Sequence, residues 1–127
     1  MDGSIGFQAA ESAWRQGEAI AATAPGPPAT GCNATGVCSL PVASATDRWL
    51  DSSFAGWINS TSNLGTMGGT PQYFVEFLGE APTWPGCDLL DESNRSPLCM
   101  RPRYRVTARS QSADRAQVLL QTNLIVQ

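Results

Sequence analysis

The chain has 127 residues, 42% of them hydrophobic and 15% charged, with a formal net charge of −3. That length fits one domain with a single core and falls short of two. The charge balance excludes both a polyelectrolyte tail and the basic excess of a general nucleic-acid binder. All eight basic residues are arginines, and there is no His. Ser-His-Asp and Cys-His catalysis, His-ligated metals, phosphate-loop lysines and Schiff-base chemistry are therefore excluded together.

Cys32, Cys38, Cys87 and Cys99 form two close couples, neither with the Cys-x-x-Cys spacing of zinc or redox sites. An even count in a small domain containing Pro and Gly favours disulfides and an oxidising compartment. Three connectivities are open; the local one, Cys32 with Cys38 and Cys87 with Cys99, closes the shortest loops. Each bond is then worth roughly 2–3 kcal/mol by chain entropy. No stretch reaches the roughly 18–20 apolar residues of a membrane span, and no signal peptide is recognisable. Residues 1–6 read as a cloning remnant ahead of a single domain over 7–127.

From Phe7 to Ala24 the pattern is helical. Phe7, Ala10, Trp14, Gly17 and Ala21 recur at steps of three and four, and Ala13 and Ile20 widen them into one apolar stripe. Glu11 and Arg15 form a favourable i,i+4 pair on the polar side. No convincing cap precedes Phe7, so the helix reads as truncated, and Pro25-Gly26-Pro27-Pro28 stops it. The connecting region, 25–71, is loop-like apart from a short second helix expected at about 45–58. Ser44 would be its N-cap, Asp47 would stand three residues on, and Leu50, Phe54, Trp57 and Ile58 would share a side. Gly65, Gly68 and Gly69 mark turns.

Residues 72–127 change period. Tyr73 to Leu78 is strand-like and is expected to stop at Gly79. Arg103 to Arg109 alternates, with Tyr104, Val106 and Ala108 on one side and Arg103, Arg105, Thr107 and Arg109 on the other. Gln117 to Val126 makes a third strand, reached by a hairpin loop over Gln111–Arg115. The fold class is α+β: an N-terminal helix packed across a C-terminal antiparallel sheet with one apolar side.

Phe7-Gln8-Ala9-Ala10-Glu11-Ser12-Ala13-Trp14-Arg15-Gln16-Gly17-Glu18 resembles the "F-x-A-A-E-x-x-L-R-x-x-E" segment of PilX-type minor pilins of the type IV pilus. Tyr104-Arg105-Val106-Thr107-Ala108-Arg109, then Val118-Leu119-Leu120-Gln121-Thr122, is similar to that family's "YRITAR" and "VVLQS" strands, and Tyr73-Phe74-Val75-Glu76 resembles the strand before them. These matches cover about a third of the chain in the family's order. Trp14 stands where the family more often has Leu. The family's apolar helical half, leader peptide and early glutamate have no counterpart in the sequence, so anchoring and docking residues are assigned to none of its positions.

The resemblance implies a pilin-like fold and a non-catalytic minor pilin, without cofactor. Such a subunit joins other minor pilins and the tip adhesin to prime pilus assembly. It is held in the inner membrane through the absent part of its helix, faces the periplasm, and ends in the extracellular pilus at its tip or along the fibre. The alternatives are a minor pseudopilin of a type II secretion system and a secreted adhesive or ligand-binding domain.

Several residues are weighed for chemistry. Asp88, Asp91 and Glu92, near Asn94, offer oxygen ligands to Ca²⁺ but lack an EF-hand spacing, so solvated acids are the default. Glu76 and Glu80 are a carboxylate couple that nothing converges into a hydrolytic cleft. Arg103, Arg105 and Arg109 form a row that phosphates would suit, yet a solvated sheet face with arginine pairing to Glu76 across strands is favoured. No specific nucleic acid and no small-molecule substrate is expected. Asn33, Asn59 and Asn94 head chance glycosylation sequons. Trp84, between Pro82 and Pro85 in a loop, is the first candidate for an exposed partner contact.

Overall fold

The computed structural model describes residues 2–60, 71–94, 96, 98–110 and 118–126; the side chains of residues 2–7 and of Glu92 lie outside that description. Helix α1 runs Asp2–Ala21 and takes in residues 2–6, which the sequence set apart. It ends three residues short of the expected Ala24. Thr23 and Ala24 close a tighter turn onto Ile20 and Ala21, and Ala24 has φ 52° immediately before Pro25, where a helical conformation is disfavoured.

The strands are β1 (Val37–Cys38), β2 (Ile58–Asn59), β3 (Gln72–Pro82), β4 (Met100–Ser110) and β5 (Val118–Ile125). The three long ones form an antiparallel meander in the order β3-β4-β5, with Val75 opposite Val106 and Val106 opposite Thr122. Two short additions were not foreseen. β1 pairs parallel with β3, so the sheet is mixed rather than purely antiparallel, and β2 pairs with β3 near its start. β3 does not stop at Gly79. That glycine, at φ 89°, lies where the ladder shifts register between Phe77 and Glu80, and the strand resumes beyond it.

Helix α1 lies on one face of this meander. Ala9, Ala10, Ala13, Gly17 and Ala21 are buried on its inner side, and the buried core runs through Ala13, Ala21, Tyr73, Val75, Tyr104, Val106 and Ala108. Trp14 and Ile20 pack at its margin with Leu124 and Val126. The small stripe residues allow close approach, and apolar burial of about 25 cal/mol per Å² holds the layers together.

The second helix at about 45–58 is absent. Only a single 3₁₀ turn forms, over Arg48–Leu50, and Leu50 is exposed. Arg48, Trp49, Phe54 and Trp57 all reach toward the sheet, and at 100° per residue these positions are scattered round a helical wheel. Asp51 accepts bonds from the Ser53 N–H and hydroxyl, a local turn that competes with helix continuation. The expected turn glycines Gly65, Gly68 and Gly69 and the Gln111–Arg115 hairpin loop lie outside the described residues.

Candidate interaction surfaces

The helix-facing side is built on contact at Gly17. A Cβ there would stand 2.7 Å from Val106 Cγ1 and 3.2 Å from Tyr73 Cδ2, so helix and sheet approach closely at this point. Both tyrosines of the chain belong to this layer. Tyr104 donates its hydroxyl to the Pro25 carbonyl at 2.7 Å, tying the chain beyond the helix to the central strand. Burial raises the Tyr104 phenol above its ordinary value; it also raises Tyr73, against which a hydrogen bond with Gln16 acts in the opposite direction. Away from the sheet, Gln8 and Arg15 are exposed, and Arg15 pairs with Glu11 at 2.6 Å.

The opposite face was expected to be a solvated row of arginines, and it is covered instead. Residues 48–57 fold over it as a second layer. Glu76, fully buried, accepts from Arg48 at 3.0 Å through one oxygen and from Arg105 at 2.8 Å through the other. Arg48 also donates to the Ser39 carbonyl at 2.7 Å. The Arg105 guanidinium lies 4.4 Å from the centre of the Trp49 ring, and that of Arg109 lies 3.9 Å from Trp57. Arg109 bonds Gln72, and burial lowers its guanidinium below the ordinary value while leaving it charged at neutral pH. Phe54 and Trp57 both sit 4.8 Å from Phe74, which closes this layer. Of the three arginines in the row, Arg103 alone is exposed.

That Glu76 pairs with an arginine of the row across strands was legible in the sequence, and the structure gives that place to Arg105; the parts played by Arg48 and Trp49 were not legible. A signal for them did exist. A single carboxylate inside Tyr73-Phe74-Val75-Glu76-Phe77, a strand apolar on both sides, needs cations from elsewhere once both faces are covered.

Both cysteine couples are disulfide-bonded as the local pairing would have it, Cys32 to Cys38 and Cys87 to Cys99. The first closes a turn in which the Asn33 side chain accepts from the Thr35 and Val37 N–H groups, which gives that residue a structural use. Beside this turn a cleft of about 580 Å³ is lined by Pro41, Val42, Phe54, Ile58, Asp47 and Asp51. Hydrogen bonds from Ser53 lower the carboxyl of Asp51, at its edge, below the ordinary carboxylate value. The second disulfide closes the excursion between β3 and β4. That loop displays Leu89, Leu90 and Leu98, with Trp84 exposed beside it. Asp88 and Asp91 are exposed on the same loop, and no group of three metal-ligating side chains converges among the described residues. Glu80 is exposed beyond the bulge while Glu76 is held by its two arginines, so the carboxylate couple forms no shared site.

No described helix is long and apolar enough to cross a membrane. The chain offers three surfaces: one side of α1, an apolar disulfide-closed loop, and the margins of the sheet. No curated protein and no solved structure matches it. A family model does, that of the type IV pilus assembly protein PilX C-terminal region, over residues 9–126. That span takes in most of α1, both disulfides and every strand, so the chain belongs to the PilX family of type IV pilus assembly proteins.

Proposed function

We propose that the protein is a non-catalytic minor pilin that joins other minor pilins and the tip adhesin in the complex that primes the pilus. Membership of the family carries the broader part: a structural role in type IV pilus assembly, among other pilus components, at the periplasm or the cell surface. The observation that supports the finer reading is the division of labour on α1. One side, from Ala9 to Ala21, is buried on the sheet, while Gln8, Arg15, Ala19 and Ala22 remain exposed for a neighbour. In this reading an upstream apolar stretch of the same helix anchors the subunit in the inner membrane before assembly. Leu89, Leu90 and Leu98 then help choose the partner, since exposed apolar residues on a tethered loop gain most when covered.

Deleting the encoding gene in its bacterium should sharply reduce surface pili, and the intact gene should restore them. Leu89→Ser/Leu90→Ser should leave the thermal midpoint of the purified domain within about 2 °C, because both residues are exposed. The same variant should fail to co-purify the other minor pilins. Normal piliation and adhesin display in the deletion strain would remove the proposal. The rival of a DNA-binding arginine row is disfavoured, because Arg105 and Arg109 are held under Trp49 and Trp57.

A further inference from the structure

β5 is the last strand of the sheet path, and among the described residues its outer edge meets no other strand. Proteins ordinarily guard such an edge with charge, proline or a bulge. From Val118 to Val126 there is no charged residue and no proline, and the register with β4 is uninterrupted over Val118–Ile125. The direction of the unpaired groups follows from one bond. Val126 donates its N–H to the Pro102 carbonyl at 2.9 Å, so even-numbered residues of β5 bond to β4. Leu119, Gln121, Asn123 and Ile125 therefore turn their N–H and C=O groups outward.

The sequence along this edge is its own mirror in chemical type. About Thr122, Gln121 matches Asn123, Leu120 matches Leu124, Leu119 matches Ile125 and Val118 matches Val126; Gln117 and Gln127 extend the series. We propose that β5 is a self-pairing edge whose partner is β5 of a second copy of this chain, antiparallel, with Thr122 opposite Thr122 on the two-fold axis. This register sets Leu119 against Ile125 and Gln121 against Asn123, odd against odd, so the outward groups of both copies meet in about eight main-chain hydrogen bonds. Each side chain faces one of its own kind, amide to amide and aliphatic to aliphatic, with no like charges opposed. A register shifted by one residue would set outward groups against inward ones. The half-buried Val118, Leu120 and Leu124 gain cover from their counterparts on the helix side. The axis stands perpendicular to the joined sheet and reverses α1 between copies, so this contact joins copies whose helices point in opposite directions and is distinct from the side-by-side helix packing proposed above.

The test uses the 127-residue chain in analytical ultracentrifugation over a rising concentration series. The parent should show a monomer–dimer equilibrium. Gln121→Glu/Asn123→Glu sets carboxylates opposite one another across the axis and should weaken the dimer at least tenfold. Gln121→Lys/Asn123→Glu sets an ammonium opposite a carboxylate, with the new carboxylate at position 123 beside Arg105 on β4. It should restore the dimer to within about threefold of the parent. Circular dichroism checks that both variants fold. Thr122→Cys should form a covalent dimer on mild oxidation, because facing residues at a non-hydrogen-bonded position lie about 4.5 Å apart between Cα atoms. Leu120→Cys, which faces Leu124, should not. A parent monomeric into the high micromolar range overturns the proposal, even if β5 then captures an extended segment of another pilin. So does a dimer indifferent to both charge variants, or aggregation without cross-linking at position 122.

Discussion

Gly17 shows how one missing methyl group sets a layer spacing. Gly17→Leu must displace Val106 and Tyr73, both buried, and overpacking of that kind costs about 3 kcal/mol. Scanning calorimetry should show a clear fall in the thermal midpoint; an unchanged midpoint would mean that the helix does not lie where described. Glu76 sets the other layer. Arg105→Ala removes both a partner of a buried carboxylate and the cation on Trp49, and should cost on the order of 3 kcal/mol in urea denaturation. Glu76→Gln, which keeps the shape and removes the charge, should cost less. The two tyrosines offer a pH readout with a definite sign. Their folded values are raised, so the stability they contribute is whole below the ordinary phenol pKa of about 10. It is lost as pH rises through the folded values. Ultraviolet titration should therefore find the tyrosinate midpoint above about 10 in the folded protein and near that ordinary value in denaturant. A native midpoint at the ordinary value would contradict the burial of both rings.

At the scale of elements, legibility followed periodicity. α1, β4 and β5 announce themselves because each repeats a pattern over seven or more residues against one neighbouring layer. The connecting region did not, because its order comes from contacts distant in sequence: Arg48 to Glu76, Trp49 to Arg105, Trp57 to Arg109. A window of 45–58 shows apolar residues at helical steps, but those residues answer to a sheet that the window does not contain. The same blindness hid the short β1 and β2, whose two residues each carry no period. The disulfides were legible because shortest-loop closure is itself a local argument. Replacing Cys87 and Cys99 by Ser should cost about 3 kcal/mol, and replacing Cys32 and Cys38 about 2 kcal/mol, since the entropic cost grows with the logarithm of the loop closed. Equal losses in chemical denaturation would indicate that the loops retain order when unlinked. Of the proposed contact residues, Trp84 and Arg103 are exposed, whereas Arg105 and Arg109 lie against tryptophan rings. A strand's polar side is visible in sequence, but what later covers it is not.

At the scale of the whole molecule, the sheet is the middle layer of three, with α1 on one side and the aromatic–arginine layer on the other. Tryptophans sample the layers separately: Trp14 packs at the helix side, while Trp49 and Trp57 lie over the arginines. Because β3 and β4 contribute to both sides, the layers should melt as one. Tryptophan fluorescence and far-ultraviolet circular dichroism should give the same denaturation midpoint. Separated midpoints would show that the connecting region is a detachable cover.

The order of the chain has a cost during synthesis. The stripe of α1 is made before the residues it rests on, Tyr73 to Ala108, which arrive only with the second half of these 127 residues. Until Ala108 has emerged, the nascent helix lacks most of the core it lies against. Any fragment ending ahead of β4 should therefore be degraded rather than accumulate.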